Sequence, residues 1–364
     1  MTDCAGSDPN AVSAGSDPNA VLLPDGPALQ TLMSHLNGSA GPRVVPGRVI
    51  PVPGSVSAEF QTAIAMPYRN SEWLLDAPDA AGWRAAVAGL ADQSIPQIEK
   101  IIDRLGVHVD ATTIGGVPAF VVTPARIASR NVERLLVNTH GGGYLFNPGR
   151  ASLLEPAVIA ATCGMKVVEV DYRMPPDHPY PAASDDAIAV WKAALEMAPP
   201  ANIGICGGSS GGGLALSTVL RAKQDGVTLP AAVAVQTPWC DLGPVGDSLK
   251  VHEWVDNVLV TYDAVGTRGA RLYAGDANSA DPLLSPLRGD LAGFPPTMLI
   301  SGTRDLLLSQ SVLFHRKLRA AGVVADLHLV EGASHFSYFV DPFAPESQDI
   351  FAEMARFWDT HLGT

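Results

Sequence analysis

Six short apolar runs constrain the fold of this chain more than any other feature. They are "RLLVNT" (134–139), "KVVEV" (166–170), "NIGIC" (202–206), "AAVAV" (231–235), "TMLIS" (297–301) and "ADLHLV" (325–330), with helix-length stretches between them. Runs this short and this continuously apolar suit strands buried on both faces. Strands that alternate with helices predict an α/β fold, a mostly parallel central sheet flanked by helices. Upstream, "VHVDATTIGGVPAFVVTP" (107–124) holds two β-type runs around Gly115-Gly116, which is the turn chemistry of a hairpin. In a parallel sheet the ligand site lies beyond the carboxyl ends of the strands.

The N-terminal third has a different period. "AGSDPNAV" occurs at 5–12 and again at 14–21, with no periodic apolar face, so residues 1–27 are expected to form a flexible tail. Residues 28–105 are expected to be helical. Apolar side chains recur every three to four positions in "SAEFQTAIAMPYR", "SEWLLDAPDAAGWRAAVAGLADQ" and "IPQIEKIIDRLG", with proline-rich links at 46–53 and at Pro78. The remainder, 106–364, is expected to be the catalytic domain.

Charge and cysteine usage narrow the function classes. The 24 basic residues against 37 acidic ones give a net charge of −13, which would repel nucleic acid and anionic membrane surfaces. Cys4, Cys163, Cys206 and Cys240 show neither CxxC spacing nor a paired cluster and read as free thiols of a reducing compartment. With no charged and apolar leader in "MTDCAGSDPN" and no membrane-length apolar stretch, a cytoplasmic protein without a membrane span is expected. No HExxH, paired-histidine or EF-hand spacing occurs, so no metal is expected.

Residues 202–216, "NIGICGGSSGGGLAL", follow one of the apolar runs and open a helix-like segment. Glycines at a strand-to-helix turn clear room for a nucleophile on a sharp elbow. The pattern G-x-S-x-G fits in two registers. One centres on Ser209, the other on Ser210; the shorter elbow favours Ser209, with the Ser210 N–H turned toward an oxyanion. Phosphate binding is the other use of such turns, but the dinucleotide and P-loop fingerprints are both absent. A second glycine run, "NTHGGGYLF" (138–146), follows another strand. Its backbone N–H groups match the HGGG element that completes an oxyanion hole, here Gly141 and Gly142 together with Ser210. His140 reads as a loop-orienting residue rather than a base.

"HGGGY" lies 69 residues before Ser209, with "YRMPPDHPYPAASDDA" (172–187) between them. Together these motifs resemble the hormone-sensitive-lipase family of α/β-hydrolases, over about 250 residues from position 107 to the C-terminus. The resemblance implies an α/β-hydrolase fold with an N-terminal helical cap, for which 28–105 is the candidate and to which 244–275 could add. It also implies cofactor-free hydrolysis of carboxylic esters. The family elbow GDSAGG aligns with "GGSSGG", which makes Ser209 the nucleophile and puts Gly208 where the family has aspartate. The acid falls on Asp305 in "SGTRDLLLSQ", with Leu306 in place of the family's proline, and the base on His335 in "EGASHFSYF".

Taken alone, an Asp after a strand is usually a helix cap and a His near the C-terminus a satisfied surface group. The joint placement at three strand ends is what favours catalysis. Tyr144, Trp239 in "TPWCDL" and Phe336 are candidate substrate-lining residues, while Arg173, Asp177, His178, Asp185 and Asp186 read as structural. The expected activity is that of a serine carboxylesterase acting on short- to medium-chain esters of small alcohols through an acyl-enzyme. A lactone hydrolase or amidase shares the same triad, and a non-catalytic small-molecule receptor shares the fold, though His335 argues against a receptor. A homodimer is left open.

Overall fold

The computed structural model describes residues 49–69 and 79–363, together with Gln30 and Gly47. The expected tail at 1–27 and the stretches 31–46 and 70–78 of the expected helical region lie outside the described residues. Residues from Gly54 onward form one unit that contains both the N-terminal helices and the sheet.

Eight strands form one sheet: β1 (His108–Ile114), β2 (Val117–Thr123), β3 (Leu135–Thr139), β4 (Lys166–Val170), β5 (Ile203–Gly208), β6 (Ala232–Gln236), β7 (Thr297–Gly302) and β8 (Ala325–Val330). Their spatial order is β1-β2-β4-β3-β5-β6-β7-β8. The β1–β2 and β2–β4 pairings are antiparallel and the other five are parallel. All six apolar runs thus become strands. β3, β5, β6 and β7 are buried along their whole length, as continuous apolarity predicts. β8 is an edge strand whose Asp326 and Leu329 face solvent, because it lacks an outer neighbour. The β1–β2 turn requires glycine: Gly115 has φ 59°, and a Cβ there would lie 2.5 Å from the Ala189 carbonyl oxygen.

The helices are α1 (Ala58–Ile64), α2 (Ala80–Leu105), α3 (Leu154–Cys163), α4 (Ala182–Ala194), α5 (Ser210–Gln224), α6 (Ser248–Val251), α7 (Tyr262–Ala274), α8 (Leu308–Ala320), α9 (Ser337–Val340) and α10 (Pro345–His361). Two apolar clusters sandwich the sheet. One gathers Trp191, Leu214, Tyr144 and Phe314 from α4, α5, the β3–α3 loop and α8. The other gathers Val158, Trp358, Phe351 and, from the N-terminal segment, Phe60, Ile98 and Ile102.

α2 differs from the sequence reading. The stretches expected on either side of position 94 form one 26-residue helix that runs through Pro96. Proline removes the bond to the carbonyl four residues earlier, here that of Asp92. Both Pro96 and Asp92 are exposed, so water can take that carbonyl and the helix continues. Asp79 caps its start through the Gly82 N–H, and Gly106 ends it at φ 66°. Among the described residues, no helix is long and apolar enough to cross a membrane.

Candidate active site

Three strand ends converge. β5 stops at Gly208, and Ser209 turns the chain at φ 56°, ψ −123°, from which α5 departs. This is a strained conformation for a residue with a Cβ. Backbone bonds hold it: the Ser209 N–H donates to the Gln236 carbonyl at 2.8 Å, and the Ser209 carbonyl accepts from Gly213 at 3.1 Å and Trp239 at 2.8 Å. α5 can pass this close to β3 only because position 211 is glycine, since a Cβ there would collide with the Thr139 and His140 carbonyl oxygens.

His335 reaches the elbow from the loop after β8. Its Nε2 lies 2.9 Å from Ser209 Oγ, and its Nδ1 lies 3.0 Å from Asp305 Oδ1. Asp305, on the loop after β7, has no solvent exposure, and its carboxylate also accepts from Ser301 Oγ at 2.6 Å and from the Leu307 N–H at 2.9 Å. Three residues distant in sequence therefore form one hydrogen-bonded line at the end of the sheet.

The α/β-hydrolase-fold family matches residues 136–339, which span every strand end involved. Two solved structures described as a hormone-sensitive-lipase-family esterase and a hormone-sensitive lipase from a metagenome library are 26% and 28% identical to this chain. Their TM-scores are 0.69 and 0.68; they cover 84% and 75% of this chain and 99% and 93% of their own. The chain belongs to the hormone-sensitive-lipase family of α/β-hydrolases. It is also similar to a crystallised esterase at 40% identity and TM-score 0.83, covering 90% of this chain and 99% of that one. An esterase of Acinetobacter venetianus is 31% identical over 234 residues, 63% of this chain and 76% of the relative. An acetyl-hydrolase of Streptomyces hygroscopicus is 29% identical over 255 residues, 70% of this chain and 83% of the relative.

Within this family member the glycine-loop expectation needs one correction. The Gly141 N–H is already bound, donating to Glu155 Oε1 at 2.7 Å, so it is not a free oxyanion donor. Among the described residues nothing takes the Gly142 or Gly143 N–H, and the Ser210 N–H lies in the open first turn of α5. The Ser210 hydroxyl faces inward and accepts the Tyr144 N–H at 3.1 Å, tying the glycine loop to the elbow. His140 is fully buried and stacked on Tyr172 at 4.2 Å, with its Nδ1 2.9 Å from the Gly141 carbonyl oxygen; burial depresses its pKa to about 4. It orients the loop as a neutral ring.

Two of the three expected lining aromatics belong to the core instead. Tyr144 is 1% exposed and stacked on Tyr273 at 3.6 Å, and Trp239 is 3% exposed behind the elbow. A flat, largely apolar ring next to a tight loop gains more from packing than from an open wall. Phe336 is different. It is half-buried at φ 63°, 6.0 Å from the His335 ring and stacked on Phe339 at 4.5 Å. Its ring fills the space where a side chain at position 208 would go. The aspartate usual in the family elbow does not fit here, and Glu155, 3.0 Å from that same space, supplies a carboxyl from α3 instead.

Glu155 and Asp256 escaped the sequence reading. Glu155 is buried among apolar residues in "LLEPAVIAA", and burial pushes its pKa up to about 8. Glu169 lies beyond Asn138, which donates to it at 2.5 Å, and burial raises its pKa well above the ordinary range. Asp256 is wholly buried in "EWVDNVLV" beside the triad. For Glu155 and Glu169 the signal was a lone acid inside an apolar run, whereas Asp256 has Glu253 and Asn257 near it and gave no such signal. Asp177, Asp185 and Asp186 pair with Arg84, Arg221 and Arg173, consistent with structural roles. Cys163, Cys206 and Cys240 are buried free thiols.

Proposed function

We propose that the chain is a serine hydrolase of short- to medium-chain carboxylic esters that works through an acyl-enzyme. The observation that carries this reading is the line from Ser209 Oγ through the His335 imidazole to Asp305, with Ser209 held at the strained elbow. In this reading Nδ1–H donates to Asp305, which leaves Nε2 free to accept the Ser209 proton. Ser209 Oγ attacks the acyl carbon as His335 takes that proton, and the imidazolium then returns it to the departing alcohol. Water deacylates the serine by the same route in reverse.

The carbonyl oxygen becomes anionic in each tetrahedral intermediate. The N–H of Ser210, at the positive end of α5, and those of Gly142 and Gly143 are the donors assigned to it, each worth about 3 kcal/mol of barrier. The substrate is a small ester. Relatives named acetyl-hydrolase and ethyl acetate hydrolase favour a short acyl group. We assign α1 and the first turns of α2 to the cap over the acyl side, because Trp83 of α2 packs against Leu145 and Phe146 of the glycine loop.

Hydrolysis of p-nitrophenyl acetate, butyrate, octanoate and laurate tests the reading. It expects turnover that falls with acyl length. A wild type inert on every ester, or fastest on laurate, would contradict it.

A further inference from the structure

We propose that Asp256 is a positioning residue for the acid and the base, a second carboxylate that fixes the Asp305 and His335 loops to each other. The inference rests on the triad reading above. Asp305 and His335 follow the paired strands β7 and β8, and the N–H groups of Thr303 and Arg304 already donate to the Val330 and Ala333 carbonyls at 3.1 and 3.0 Å. Beyond those residues the two loops separate, and Asp256 joins them again at positions 306 and 335. Asp256 Oδ2 accepts the Leu306 N–H at 2.8 Å and the His335 N–H at 3.2 Å, so one oxygen bridges both main chains. Oδ1 accepts the N–H groups of Val258 at 2.8 Å and Leu259 at 3.1 Å, which lock the carboxylate in place. Four donors converge on the two oxygens and none of the four groups can accept a proton. Burial and the neighbouring Asp305 push the pKa of the Asp256 carboxyl upward, while His335 and the N–H donors pull it down. The donor geometry favours the ionised form, because a protonated carboxyl would point its O–H at another donor.

An independent feature of the sequence supports the assignment. The family pattern has proline after the catalytic acid, and this chain has Leu306. Only a non-proline residue supplies the N–H that Asp256 accepts. The rest of the segment reinforces the bridge. His252 Nδ1 lies 2.8 Å from the Asp305 carbonyl oxygen, Ser248 Oγ donates to the Leu306 carbonyl at 2.8 Å, and the Asn257 N–H donates to Ser334 Oγ at 3.2 Å. Asn257 Nδ2 also donates to the carbonyls of Ala63 at 3.2 Å and Met66 at 3.0 Å, so the same segment fastens the end of α1 to the base loop.

The charged groups around Asp256 are Asp305 and His335 within the cluster, Arg69 from the N-terminal segment, and His252 beyond the Asp305 main chain. Asp256, Asp305 and His335 place ligand-type atoms within 4.8 Å of one another. The carboxylate of Asp256 therefore favours the imidazolium that forms as Ser209 attacks, besides holding its loop. Removing the charge moves the acid limb of kcat/KM to lower pH; a purely structural loss leaves that limb where it is.

Wild type, Asp256→Asn, Asp256→Glu and Ser209→Ala are compared on p-nitrophenyl butyrate across pH, with active sites counted by burst titration. In Asp256→Asn the amide nitrogen cannot accept, so two of the four N–H groups lose their partner. Displacement of the base then lowers kcat per active site by roughly tenfold to a hundredfold. KM stays within about twofold, since ground-state binding is untouched. The acid limb shifts down, and Asp256→Glu returns it toward the wild-type position. Unchanged kcat per site, a fall in kcat with an unmoved acid limb, or failure of both Asp256 variants to fold would overturn the positioning role. Wild-type turnover in Ser209→Ala would overturn the triad and this inference together, whereas an inert Ser209→Ala beside a normal Asp256→Asn would overturn this inference alone.

Discussion

Replacing Glu155 with glutamine should change how stability depends on pH. Burial raises the Glu155 pKa from the ordinary 4.5 to about 8, against the opposing pull of the Gly141 and Gly208 backbone. Between those two values the unfolded chain ionises this group while the folded chain keeps its proton, so the folded state binds more protons and wild-type stability falls as pH rises. At full expression the shift corresponds to about 5 kcal/mol across that window. Glutamine fills the same space and still accepts the Gly141 N–H, but it does not titrate. Its NH2 group faces Gly208 and adds a cost of about 1–3 kcal/mol that does not vary with pH. The difference in unfolding free energy, Asp- and His-dependent terms cancelling between the two proteins, isolates Glu155. Urea unfolding of both proteins from pH 5 to 8.5 should show the variant gaining on the wild type with pH by several kcal/mol and levelling off above pH 8. A difference that is flat, or that falls with pH, would refute the assignment of a buried, protonated Glu155.

Three further outcomes are expected. Gly208→Asp, which restores the family residue, should cost most of the soluble folded protein because its Cβ meets the Phe336 ring, and Phe336→Ala in the same chain should recover it; expression and thermal melting of the single and double variants decide. Asp305→Asn should lower kcat by roughly a thousandfold to ten-thousandfold through the wrong imidazole tautomer while the protein stays folded, as read by steady-state kinetics beside circular dichroism. Tyr144→Ala should cost about 3–5 kcal/mol of stability in urea without changing the order of preference among acyl chains, because the ring is core and not wall.

The sheet was legible because strands buried on both faces are mostly apolar, and each of the six runs becomes a strand; the buried polar side chains of Asn138 and Glu169 are hydrogen-bonded to each other. β8 departs from that rule at its exposed positions because edge placement depends on what lies beside a strand, which no local pattern records. The two segments on either side of position 94 merge into α2 through Pro96, because the sequence does not say which side of that helix faces water. Ser209 stood out through its glycines, and Asp305 and His335 through their position after strands. Glu155 and Asp256 act by accepting main-chain N–H groups, a task any residue can supply from the donor side. The Leu306 and His335 partners of Asp256 lie 50 and 79 positions away, so no motif spans them. The two departures from the family pattern, Gly208 and Leu306, were visible in the sequence. What accommodates them, the Phe336 ring with Glu155 and the carboxylate of Asp256, became visible only in three dimensions.

The central claim is that Ser209 carries the acyl group. Reaction with a fluorophosphonate, followed by proteolysis and mass spectrometry of the peptide spanning 203–221, tests it most directly. The account predicts a single adduct on Ser209 that is lost in Ser209→Ala and kept in Ser210→Ala. An adduct on Ser210, or one that survives Ser209→Ala, would contradict it.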